Sequence, residues 1–155
     1  VINFEGNAAD LSDEKFNFDL NADGEEELIS YFTNSGMLAL DKNNDGVIND
    51  GTELFGALSG NGFADLAQYD EDGNNYIDEA DSIFEDLQIW TKTLGEDKLE
   101  SLADRDVGAI YLGSTETPFD VKGEDNKQNG RVRASGFYLT EAGDVGTVQQ
   151  VDMAV

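Results

Sequence analysis

The chain has no cysteine and no histidine. Their absence excludes disulfides, thiolate zinc sites, cysteine nucleophiles, Ser–His dyads and histidine metal ligands. Proline is nearly missing as well. The one proline, Pro118, follows Thr117, so no Asp–Pro bond exists within residues 1–155. Bases are scarce, 9 against 34 acids, for a formal charge of −25. Such a field repels nucleic acids and anionic membranes, so no nucleic-acid partner is expected. No run approaches the roughly 18 apolar residues of a membrane span, and no membrane insertion is expected. The Gly-rich "GALSGNG" (56–62) lacks the Lys–Ser/Thr of a P-loop, and the many carboxylates sit in no recognisable glycosidase or protease motif. A start at Val1 without a signal-peptide pattern reads as a fragment or a processed product.

What remains is an acidic chain with a real core. At 155 residues and 39% apolar content it suits one folded domain, not a disordered acidic tail. Self-repulsion at this charge opposes compaction, and a bound divalent cation would offset it; the competing reading is a merely soluble acidic surface.

Residues 1–35 read as β-rich, with "VINF", "KFNFDL" and "ELISYF" as short strands; Phe16 and Phe18 alternate with polar residues. In 36–90, "MLAL" (37–40), "TELFGAL" (52–58), "GFADLAQY" (62–69) and the start of "EADSIFEDLQIW" (79–90) read as short helices. In 91–155, "EDKLESLADRDV" (96–107) reads as helix and "GAIYL" (108–112) as strand. "RVRASGFYLT" and "VGTVQQVDMAV" flank "EAGD" as a C-terminal β-hairpin. The expectation is one α+β domain over 1–155: a central EF-hand-like helix-loop-helix pair flanked by short β-strands and a C-terminal β-hairpin. Trp90 reads as a core anchor, and Arg131 and Arg133 as solvent-facing strand residues that deter edge pairing.

Three segments repeat one pattern: "DLNADG" (19–24), "DKNNDG" (41–46) and "DEDGNN" (70–75). Each places Asp at loop position 1 and Asp or Asn at positions 3 and 5. Ca²⁺ is a hard cation that takes six to eight oxygens, and a sharply turning loop can aim alternate side chains at one centre. Position 7 adds a backbone carbonyl, and an acid near position 12 completes the sphere. The third loop offers Asp70, Asp72, Asn74, the Tyr76 carbonyl and Asp81, with Asn75 in place of the usual Gly at position 6. The second offers Asp41, Asn43, Asp45, the Val47 carbonyl and Glu53, which comes at position 13. Its rival reading makes Thr52 a helix cap with Glu53 in the first turn. The first offers Asp19, Asn21 and Asp23, with Glu26 or Glu27 (Glu27 taken as the candidate) substituting from closer in sequence; it follows a strand, has no acid at position 12, and is the weaker site. Two calcium ions are expected, with the first loop as a third candidate. Ile48 and Ile77 at position 8 are expected to meet across a short strand pair. The competing reading for each loop is a solvated polar turn.

The order "FDLNADG", "LALDKNNDGVINDGTELFG", "NGFADLAQYDEDGNNYIDEADSIFEDLQIW" resembles the self-processing module of RTX (repeat-in-toxin) proteins and related large secreted bacterial proteins. The "DGTELFG" ending is its most distinctive part, and the late acid is a habit of that family. The resemblance implies a secreted or cell-surface protein in which calcium orders the module. The ordered module then promotes cleavage of an Asp–Pro bond at its own N-terminal edge. The Asp carboxylate attacks its own peptide carbonyl to give an anhydride, which water hydrolyses or a lysine amine captures. Here such a bond can lie only upstream of Val1. The family often carries another Asp-rich loop after Trp90; this chain has Thr91 and Thr93 there, so no calcium is expected at that place. The alternative is a calcium-stabilised structural or interaction module, dockerin- or adhesin-like, with another protein as its partner.

Overall fold

Strands, not helices, make up most of the regular structure of this chain. The computed structural model describes residues 1–6 and 8–154. Its elements, in order, are β1 (Ile2–Asn3), β2 (Leu11–Phe18), β3 (Glu27–Phe32), β4 (Ser35–Leu40), α1 (Gly62–Ala67), β5 (Tyr76–Ile77), β6 (Leu87–Lys92), β7 (Asp97–Ser101), β8 (Val107–Tyr111), β9 (Thr115–Lys122), β10 (Gln128–Thr140) and β11 (Val145–Met153). Short 3-10 turns at Gly51–Glu53, Ser82–Glu85, Ala103–Arg105 and Glu124–Asn126 complete it. One antiparallel sheet runs β5-β8-β10-β11-β1-β4-β6-β7, with β9 beside β8 along β10. β2 and β3 form a separate two-stranded ribbon.

The faces follow strand alternation. On β4 and β6, Leu38, Leu87 and Ile89 join a core with Phe63 and Leu66 of α1. Ala39 and Trp90 turn to the other side and meet Phe16, Phe18 and Ile29 of the ribbon. The ribbon therefore covers one face of the sheet, and α1 with the loop segments covers the other. Trp90 is the expected anchor: it is buried, sits edge-on to Phe16 and donates its indole N–H to Asp97 (2.7 Å).

The α+β expectation with a central EF-hand-like helix pair is overturned. Among the described residues α1 is the only α-helix, and no helix-loop-helix exists. "MLAL" is the core of strand β4, between β1 and β6. A four-residue apolar run fits a fully buried strand as well as a helix turn, and only its neighbours choose. "TELFGAL" forms a single 3-10 turn and then an irregular segment. "EDKLESLADRDV" becomes β7 and a 3-10 turn, because Leu99 lies opposite Trp90 in the sheet. Tertiary pairing here outweighs helix propensity. The hairpin of β10 and β11 stands as expected. Arg131 and Arg133 are exposed but guard no edge, since β10 is flanked on both sides; they pair with Asp120 (3.5 Å) and Asp152 (3.3 Å).

Candidate metal centre

The three acidic segments share one backbone scaffold. In each, the position-1 carboxylate accepts from the position-6 N–H: Gly24 to Asp19 (2.9 Å), Gly46 to Asp41 (2.7 Å) and Asn75 to Asp70 (2.9 Å). The position-5 side chain accepts from the position-7 N–H: Glu25 to Asp23 (2.8 Å), Val47 to Asp45 (3.0 Å) and Tyr76 to Asn74 (2.9 Å). Positions 4 and 6 both take positive φ: Ala22 and Gly24, Asn44 and Gly46, Gly73 and Asn75. Gly and Asn are the residues that best tolerate that conformation. Ala22 is not, and its strain is the price of the shared turn.

The trailing acids lock these turns. Glu53 is 4% exposed and accepts from Lys42 N–H (2.9 Å) and Asn49 N–H (2.8 Å), loop positions 2 and 9. Asp81 is 1% exposed and accepts from Glu71 N–H (2.7 Å) and Asp78 N–H (3.1 Å), again positions 2 and 9. The late Glu53 thus does the same work as the on-time Asp81. Glu27 reaches position 2 alone, through Leu20 N–H (2.9 Å).

These contacts draw acids together. Asp19, Asp23 and Glu27 form one group, Asp41, Asp45 and Glu53 a second, and Asp70, Asp72 and Asp81 a third; within each, ligand oxygens lie within 4.8 Å of one another. Donor sets made only of oxygen fit a hard divalent cation. In the third group Asp70 Oδ1 is buried without a hydrogen-bond partner among the described residues. The remaining predicted positions are less uniform. Asn21 Oδ1 accepts from Asp23 N–H (3.2 Å). Asn43 turns its amide nitrogen toward Asp45 (3.3 Å) and Asn49 (3.0 Å), so ligation through its oxygen requires an amide flip. Val47 and Tyr76 occupy the carbonyl position, and Tyr76 begins β5.

Charge acts differently on two of these groups. Burial, with the neighbouring Asp70, Asp81 and Asp78, raises Asp72 above the ordinary carboxylate value despite its hydrogen bond from Asn74. The Val47 N–H, chiefly, holds Asp45 below it.

Residues 1–154 match the family described as "SPM domain". The chain belongs to the SPM domain family. A curated relative, the iron-regulated protein FrpA of Neisseria meningitidis serogroup C, is 38% identical over 63 residues, which are 36% of this chain and 6% of the relative. The chain therefore covers only a small part of that relative's length. Among the described residues of this SPM domain no helix is long and apolar enough to cross a membrane.

Several features of the site escape sequence reasoning. The cap before the 3-10 turn is Asp50, which accepts from the Thr52 N–H (2.9 Å), not Thr52. Ile48 and Ile77 do not meet: Ile48 joins the ribbon core, whereas Ile77 lies opposite Ile110 in the other. The loops that touch are 19–27 and 41–53. Asp19 and Asp50 bridge in parallel, Gly51 N–H donates to Asp19 O (2.9 Å), and a Cβ at Gly51 would overlap the Leu20 carbonyl. The extra residue that delays Glu53 is part of a loop that has to admit this contact. The "NDG" at 49–51, with its small residue, was the one available signal.

Proposed function

We propose that this SPM domain is a calcium-folded module of a secreted, RTX-related bacterial protein, and that its ordered form promotes cleavage of an Asp–Pro bond adjacent to its N-terminal edge. The observation that carries the calcium reading is the repeated scaffold: three turns with the same hydrogen bonds gather carboxylate oxygens into three groups, and Asp70 Oδ1 is buried without a partner among the described residues. A chain of charge −25 also gains from bound cations. Asp41, Asn43, Asp45, Val47 and Glu53 hold one ion, and Asp70, Asp72, Asn74, Tyr76 and Asp81 another. Asp19, Asn21, Asp23 and Glu27 form the third, lesser site.

In the cleavage step an oxygen of the un-ionised Asp carboxyl bonds to its own carbonyl carbon, the carboxyl proton passes to the proline nitrogen, and the C–N bond to proline breaks. The proline nitrogen leaves protonated, and the resulting cyclic anhydride takes up water or a lysine amine. The domain's part is to order the chain around that bond. The absence of any Asp–Pro within residues 1–155 favours a second reading, a calcium-stabilised structural or protein-interaction module without catalysis.

Calcium modules outside cells bind at about 10⁻⁴–10⁻³ M, so the module fills on export. At 100-fold excess over Kd each site adds about 2.7 kcal/mol. Two sites add about 5 kcal/mol, a rise in Tm on the order of 10–20 °C for a chain of this size. Thermal unfolding in EDTA and in millimolar Ca²⁺, with calorimetric stoichiometry, tests this. No shift, or an equal shift with Mg²⁺, removes the calcium reading. Incubating the parent protein with Ca²⁺ and mapping new termini by mass spectrometry separates the self-cleaving reading from the structural one.

A further inference from the structure

Loop 70–81 carries a whole strand of the large sheet within it, which the other two acidic loops do not. That strand, β5, is only Tyr76–Ile77. It is the end strand, lying on β8 with Tyr76 opposite Tyr111 and Ile77 opposite Ile110. Asn75 belongs to loop and sheet at once. Its N–H donates to Asp70 (2.9 Å), and its carbonyl accepts from Leu112 N–H (3.0 Å). The Tyr76 ring packs on Tyr111 (centroids 5.2 Å apart) and Phe137 (6.2 Å), and those two rings stack on each other at 4.6 Å. Among the described residues no other strand covers this side of β8.

We propose that β5 is a strap: it closes the edge of β8 at Ile110–Leu112, it opens while the rest of the sheet stays folded, and loop 70–81 controls it. The control runs through a chain of hydrogen bonds. Buried Asp81 holds the N–H groups of Glu71 and Asp78, near the two ends of the loop. Asp70 holds Asn75, and Asn75 holds Leu112. A loop that loses this arrangement withdraws the carbonyl that pairs with the sheet and the ring that covers Tyr111.

Little besides the loop's own turn holds the strap down. Ile77 is the one residue of 70–81 in the main core. Six of the loop's twelve residues are acids and none is a base, so their mutual repulsion drives it open. A short segment with few apolar contacts and a local strain of this kind opens below the free energy of global unfolding. The edge beneath needs a cover. β8, "VGAIY", has no charged residue and no proline, the devices that keep a bare edge from pairing with another chain. What closes the strap rests on the calcium reading proposed above: a cation among Asp70, Asp72 and Asp81 cancels the repulsion and, through Asn75, completes the sheet.

Amide hydrogen exchange followed by NMR tests the strap. Leu112 reports on it, and Val132, paired with β9 and β11 on its two sides, reports on the rest of the sheet. Millimolar Ca²⁺ is expected to slow Leu112 exchange at least tenfold relative to EDTA. In Asp81→Ala, Leu112 should exchange within tenfold of the free-peptide rate while Val132 keeps at least hundredfold protection. Leu112 that stays protected in this variant overturns the proposal, and so does Val132 losing its protection together with it. Asp72→Asn keeps an acceptor for the Asn74 N–H and removes one charge. In EDTA it should slow Leu112 exchange at least threefold; an unchanged or faster rate overturns the proposal. Calorimetry on the unsubstituted chain separates the two readings. If no calcium binds and both substitutions act as expected, the calcium reading falls and the strap stands. If calcium binds and Leu112 exchanges alike in Ca²⁺ and EDTA, the calcium reading stands and the strap falls.

Discussion

Loops 41–53 and 70–81 build one cage from different sequences. One spends Asn then Gly on its two left-handed positions, Asn44 and Gly46; the other spends Gly then Asn, Gly73 and Asn75. One closes with a Glu at position 13, the other with an Asp at position 12, and both end on the N–H groups of positions 2 and 9. The invariant is the backbone scaffold and not the spacing of the acids. A longer side chain and a longer loop together reach the point that a shorter pair reaches. Electrostatics nevertheless separates them, since Asp72 is raised by burial and neighbouring acids while Asp45 is lowered by its backbone donor.

The largest break in this symmetry should come from the trailing acids. Glu53→Ala and Asp81→Ala each strand two N–H groups, and a buried unsatisfied donor costs about 1–3 kcal/mol. Each variant should lose about 2–5 kcal/mol of stability in urea titrations even under EDTA. If these acids serve only as ligands, stability in EDTA will not move.

Gly51→Ala should come next, at about 2–3 kcal/mol, because its Cβ overlaps the Leu20 carbonyl and backbone cannot yield cheaply. Loop 70–81 has no such contact, so calorimetry should show weakened binding at 19–27 and 41–53 and unchanged binding at 70–81. Equal weakening at all three would remove the special pairing of 19–27 with 41–53.

Acidification in EDTA should separate the loops by sign. Asp72 holds its proton more tightly folded than unfolded, so its loop loses stability as pH rises through that raised value. Asp45 does the opposite: its contribution is present above the unfolded value of 3.8 and is lost as pH falls through the lowered one. Side-chain carboxyl NMR titration should find Asp72 protonating at the higher pH; coincident midpoints would erase the contrast.

The smallest effect belongs to the third member of the set. Ala22 holds a left-handed conformation at φ 59° that the other two loops give to Asn or Gly. Ala22→Gly should stabilise by about 0.5 kcal/mol, the relief of strain less the added freedom of the unfolded chain. A loss in the denaturation midpoint would mean that Ala22 packs where a glycine cannot.

Local chemistry was legible in the sequence and long-range pairing was not. Asp, Asn and Gly at alternate positions act within five or six residues, so the three turns could be read directly, whereas the choice of Glu27 over Glu26 and of Glu53 as a closing acid came from the folded contacts. "MLAL" and "EDKLESLADRDV" could not, because they carry helix-forming residues and became strands only through partners such as Trp90 opposite Leu99. Ile48 and Ile77 had matching loop positions but went to separate cores, since the elements around them pack on opposite faces of the sheet.

The sequence by itself determined the acidic turns, the oxygen-only donor chemistry, the C-terminal hairpin and the aromatic anchor, since each rests on neighbours along the chain or on composition. It took the folded contacts to make β4 and β6 strands in place of helices, to lean loop 19–27 on loop 41–53 through Gly51, and to open a cleft beside β11 at Val1. Those features depend on contacts between residues tens of positions apart, whose energies belong to pairs of surfaces and have no signature in either segment alone.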